Sequence, residues 1–150
     1  MRRDDSHSGR LCKRISLSLL YADRLRHPEP DTTDLIHQFE TNYPIGLSIL
    51  ADLGQTVSHA EETLVIARAY LEISAIQNLT LAETLANRSL ETFQKFNRRK
   101  LQANAYKLLG EIYNAMNNGE AAVRSFQHSR EIYCAIDLPG KVEEIDRLIE

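Results

Sequence analysis

The sequence predicts an all-α fold, and three observations lead there. Gly and Pro together supply only 10 of the 150 residues, against roughly 12% in a typical chain, so the turns that a β-sandwich or barrel needs are scarce. Neither occurs anywhere from Gln55 to Leu109. Leu outnumbers Val 20 to 4. Leu loses little rotamer freedom in a helix, whereas β-branched Val loses more.

The elements follow in order. Residues 1–10 are polar and are expected to be a disordered N-terminus. Leu11, Ile15, Leu19, Ala22 and Leu25 recur at steps of three and four, the stripe of a first helix. Pro28 ends it, because the residue before a proline avoids the helical region. Asp31 is placed to cap a second helix carrying Leu35, Ile36 and Phe39. Pro44 is expected to break or kink the chain, with helix resuming from Ile45 to Leu53 and Gly54 in the left-handed position past its end.

Ser58-x-x-Glu61 has the form of a capping box opening a helix that runs to about Ile76. Gln77-Asn78 makes a turn, and a helix follows from Leu79 to Phe96. Asn97 marks the next junction, before a helix from Arg99 to Met116. Asn117-Asn118-Gly119 is a strong turn signal preceding a helix from Glu120 to Ile136. Asp137 is expected to cap a last helix over residues 139–150, with Pro139 in its first turn. The predicted organisation is therefore residues 1–10 as a tail, 11–54 as N-terminal helices, 55–97 and 98–137 as two similar units, and 138–150 as a capping helix.

One uniform shift of the sequence along itself lays Asn78 on Asn118, Ala82 on Ala122, Ser89 on Ser129 and Phe93 on Tyr133. It also lays Ile73 on Tyr113 and Tyr70 on Gly110. The matches fall on caps, turns and small residues, where helix pairs meet. Tyr106-x-x-Leu109-Gly110-x-x-Tyr113 followed by Ala122-x-x-x-Phe126-x-x-Ser129 resembles the tetratricopeptide repeat, in its longer variant of about 40 residues. Gly110, Ala122 and Ser129 lack bulk and would let two helices approach, while the aromatics fill the surrounding holes. Two departures stand out. Cys134 occupies the place of the family's proline, and the preceding unit has Tyr70 and Ala86 opposite Gly110 and Phe126. On that alignment, bulk has moved from the second helix to the first, conserving volume.

The resemblance implies a right-handed αα superhelix whose first helices line a concave groove. Carried over, the groove residues are Leu64, Ala67, Leu71 and Ser74 in one unit and Asn104, Lys107, Glu111 and Asn114 in the next. Such a groove, half apolar and half polar, suits a peptide or helix of a protein partner. An alternative is that Leu64 and Leu71 are covered by the N-terminal helices and belong to the core. Arg98, Arg99 and Lys100 form a basic cluster at the junction between units, which could grip an anion or be a solvated turn.

Other chemistries find little support in the sequence. There is no Gly-rich phosphate loop, no Gly-x-Ser-x-Gly elbow and no His-x-x-x-His spacing among the five histidines. No enzyme activity, metal or cofactor is expected. The net charge of −3 offers no polycation for nucleic acid. No apolar run reaches the ~20 residues that span a bilayer. Cys12 and Cys134, far apart and without a Cys-x-x-Cys motif, read as buried thiols of a cytoplasmic protein. The start is basic, with seven Arg/Lys against four Asp/Glu in residues 1–30, and the end is acidic, with two against six in residues 131–150. That asymmetry leaves a homo-oligomeric scaffold open, as does a sensor fragment of a larger bacterial regulator.

Overall fold

The computed structural model describes residues 33–150. These residues form six α-helices and a short 3₁₀ turn, with no strand among them. The helices are α1 (Thr33–Asp52), α2 (Thr56–Glu72), α3 (Leu79–Lys95), α4 (Arg99–Ala115), α5 (Gly119–Ala135) and α6 (Pro139–Ile149); the 3₁₀ turn is Ser74–Ile76. The expected helix over Leu11–Leu25, the Asp31 cap and Cys12 lie outside the described residues.

The helices keep a strict rhythm. α3, α4, α5 and α6 begin at Leu79, Arg99, Gly119 and Pro139, in equal steps along the chain. One turn design produces the steps. Asn97, Asn117 and Asp137 each take the left-handed conformation, at φ of +52°, +60° and +58°. Each turn closes with two nested backbone hydrogen bonds, such as Asn117 N–H to Asn114 C=O at 3.0 Å and Asn118 N–H to Tyr113 C=O at 2.9 Å. This pattern satisfies carbonyls that a helix end would leave orphaned. Gly54, at φ +70°, builds the same turn between α1 and α2.

Four local expectations need correction. Pro44 does not break the chain; it sits inside the continuous helix α1. Both Pro44 and Glu40 are exposed, so the missing hydrogen bond from Pro44 to the Glu40 carbonyl falls on a solvent-facing stretch of the helix. Ser58 is not a cap, because the tight Gly54 turn lets α2 start at Thr56 with Gln55 in the cap position. Asp137 ends α5 as its left-handed residue instead of capping α6, whose N-cap is Leu138 with Pro139 next. Cys134 is exposed rather than buried. Asn78 and Asn118 do cap α3 and α5, their side chains accepting from Leu81 N–H at 3.0 Å and Ala121 N–H at 3.2 Å.

Neighbouring helices pack as pairs, α2 with α3 and α4 with α5. Inside each pair the same hydrogen bond recurs. Ser89 Oγ donates to the Ala60 carbonyl, and Ser129 Oγ to the Ala103 carbonyl, both at 2.8 Å and both buried. Ser89 and Ser129 stand two helix steps apart, but Ala60 and Ala103 stand farther apart than that. The 3₁₀ turn is the difference, since it inserts three residues (Ser74–Ile76) between α2 and α3. A uniform shift therefore misaligns the first helices. In the observed register Ala67 matches Gly110 and Tyr70 matches Tyr113, so the expected compensation of Ala86 on the second helix by Tyr70 at the glycine position of the first does not hold. Tyr70 is buried against the rings of Phe39 and Tyr43 on α1, with centroids 5.9 and 6.1 Å away.

Two apolar clusters form the core. One joins α1 to α4 around Phe39, Ile73, Phe93 and Leu108. The other joins α4 to α6 around Phe126, Tyr133 and Ile145, and Tyr106 and Tyr113 touch both. At Gly110 the Phe126 ring of α5 packs directly on the backbone of α4: a Cβ there would lie 2.5 Å from the ring.

Candidate interaction groove

α2, α4 and α6 are tied by a ladder of alternating charges. Arg68 on α2 donates to Glu72 at 2.8 Å and to Glu111 on α4 at 2.9 Å. Glu111 also faces Lys107, 3.9 Å away. Lys107 pairs with Glu144 on α6, and Lys141 donates to the other oxygen of Glu144 at 3.1 Å. The hydrogen bonds from Lys107 and Lys141 hold the Glu144 carboxyl below the usual carboxylate range. An isolated surface pair contributes about 0–1 kcal/mol, but a network fixes side-chain positions more firmly than one pair does.

The ladder borders a cleft of about 320 Å³. Leu64 and Val65 of α2 form its apolar wall, and Asn104, Lys107 and Lys141 its polar one, with Arg68 at the edge. Tyr133 closes the floor, its hydroxyl donating to Asn104 Oδ1. Burial and the nearby Glu144 carboxylate push that hydroxyl's pKa up to about 12, so it remains a donor at any physiological pH.

Of the eight groove residues expected from sequence, Leu64, Asn104 and Lys107 line this cleft, and Glu111 braces it through Arg68. Ala67 does not belong there; it is fully buried, as its match to Gly110 requires. Leu71 is half-buried and packs on the core, as Leu64 does. Ser74 is exposed on the 3₁₀ turn, and Asn114 is exposed near the end of α4. Arg98, Arg99 and Lys100 are exposed where α3 passes into α4, and none forms an ion pair among the described residues.

Sequence reasoning misses Arg68, Val65, Tyr133 and Lys141. The register that matches Arg68 to Glu111 would expose the charge ladder, but it is hidden unless the insertion at Ser74–Ile76 is removed. Among the described residues no group of His, Cys, Asp or Glu is arranged to hold a metal ion. No helix among them is long and apolar enough to cross a membrane. No family model, curated protein or solved structure matches this chain.

Proposed function

We infer that the chain is a non-enzymatic protein–protein interaction module of tetratricopeptide type, a right-handed array of helix pairs that holds a peptide or helix of a partner protein against α2, α4 and α6. The observation that carries this reading is the cleft with Leu64 and Val65 on one wall and Asn104, Lys107 and Lys141 on the other. A partner would bury an apolar side chain against α2, at about 25 cal/mol per Å² before ordering costs. Polar groups of α4 and α6 would fix its direction. The charge ladder supports the reading because it holds those groups in place before a partner arrives.

Lys107 and Glu111 join three helices, so removing them would loosen the array as well as any binding. Val65 is the cleaner probe, being 41% exposed. Peptides selected from a displayed random library on the native protein should bind Val65→Glu at least tenfold more weakly, with thermal unfolding unchanged. Selected peptides that bind both proteins equally would place the interaction elsewhere.

A second reading, a homo-oligomeric scaffold, is favoured by the outer side of α6. Leu148 is exposed there, and a cleft of about 240 Å³ opens beside Cys134, Leu138 and Val142. Light scattering during size exclusion distinguishes a monomer from an array.

A further inference from the structure

The two helix pairs differ at one position in a way that leaves a hole. By the register of the buried serines, Thr63 stands where the second pair has Tyr106, and Arg88 stands where it has His128. Tyr106 fills the space between α3 and α5. Its hydroxyl accepts from Gln94 Nε2 at 3.2 Å, and its ring lies 5.0 Å from that of His128. Thr63 is too short to do the same between α1 and α3. An open cleft of about 460 Å³ remains there, within the ~300–1,000 Å³ of typical ligand sites.

The lining suits a ring. Pro44 and Leu47 of α1 face Leu85 of α3 across it. The Thr63 and Ser89 hydroxyls on its floor already donate to the carbonyls of His59, at 2.7 Å, and Ala60, at 2.8 Å, so neither has a hydrogen left to offer a ligand. Tyr43, Ala60 and Leu81 add to the apolar lining, and Ser48, His59 and Thr92 supply its remaining polar groups. Arg88 stands at the rim, exposed and without an ion pair among the described residues, and no carboxylate lines the cleft. An arginine can lie over an aromatic face and pair with a neighbouring anion.

We propose that the cleft between α1, α2 and α3 docks an aromatic side chain of an acidic peptide, which takes the place that Tyr106 holds in the second helix pair and sets its carboxylates beside Arg88. The site shares no lining residue with the groove at Leu64 and Arg68, so it stands whether or not the groove binds a partner.

The test is a nuclear magnetic resonance titration of the full chain with a capped acidic pentapeptide carrying tyrosine at its centre. The amides of Thr63, Leu85 and Ser89 should shift and saturate. The same peptide with alanine at its centre should leave them unmoved. Arg88→Glu, a surface change, should weaken binding at least tenfold, and Thr63→Tyr should abolish it by filling the cleft from within. Unmoved amides in the native chain, or equal binding by the alanine peptide, would overturn the proposal. Residues 1–32 carry one Tyr, Phe or Trp, Tyr21, and binding that appears only after Tyr21→Ala would make that side chain the occupant and overturn the proposal too. Concentration-dependent shifts at these amides without peptide would assign the cleft to a second copy and overturn it equally.

Discussion

The α2–α3 and α4–α5 pairs share a backbone register but fill the space between their helices differently. The register is held by one buried bond, a serine hydroxyl to an alanine carbonyl, present in both. The filling is Gly110 against Phe126 in the second pair, and Ala67 opposite Ala86 at the matching positions of the first. The first pair instead packs Tyr70 against two aromatic rings from α1. The difference teaches that polar contacts fix how helices align, while apolar volume can be supplied from either side of the pair or from a neighbouring helix.

The largest test of that contrast is at the Gly110–Phe126 contact. Phe126 is fully buried, so Phe126→Ala should destabilise by about 3–5 kcal/mol in urea unfolding. Gly110→Ala should destabilise by about 1–3 kcal/mol, because its methyl meets the ring. The double variant should lose less than the sum, since the two changes share one space. At the matching site, Ala67→Gly should cost about 1 kcal/mol, chiefly through helix propensity. A neutral Gly110→Ala would mean the close approach is not required. The serine bonds should matter equally. Ser89→Ala and Ser129→Ala are each expected to cost about 1 kcal/mol by the same measurement. A clear inequality would show that register is enforced in one pair only.

The smallest expected effect is electrostatic and opposite in sign at two carboxylates. Glu144 is depressed by its lysine partners. Its folded form prefers the charge, so its contribution is present at neutral pH and is lost as pH falls below the ordinary carboxylate range. Glu62, on α2, is raised by burial and by Glu61. Its contribution therefore runs the other way, and stability is recovered as pH falls through its raised pKa. Both groups are partly exposed, so each effect is expected to be only a few tenths of a kcal/mol. Glu144→Gln should flatten the acid-side loss of stability, and Glu62→Gln should raise stability near neutral pH. Unfolding midpoints measured across the acid range up to neutrality would check both signs.

Much of the fold is legible because its signals are local. Asn78 and Asn118 announce helix starts through their capping side chains, and Gly54 and Asn97 announce helix ends. The repeat relation between α3 and α5 is legible too, carried by Ser89 and Ser129. The 3₁₀ turn is not. Ile73 and Ile76 stand one helical turn apart and both are buried, so the segment reads as a continuation of α2. That single misreading displaces the first-helix alignment by the length of the insertion. It places Ala67 in the groove and leaves Arg68 out. Asp137 is misread because a residue that caps a helix and one that ends the helix before it share a preference for short polar side chains.

The even step between helices also governs how the chain can fold. Most of the contacts between helices join one helix to the next. Chain closures are therefore short, and short closures lose little entropy before contacts reward them. Proteins built from such local contacts fold in roughly microseconds to milliseconds. Each helix pair leans mainly on its neighbours, so opening should begin at the ends of the array and run inward. α6, whose main packing partner is α5, would exchange its amide protons before α4 does. The polar wall of the groove, to which α6 contributes Lys141, would then be the part of the surface that comes and goes.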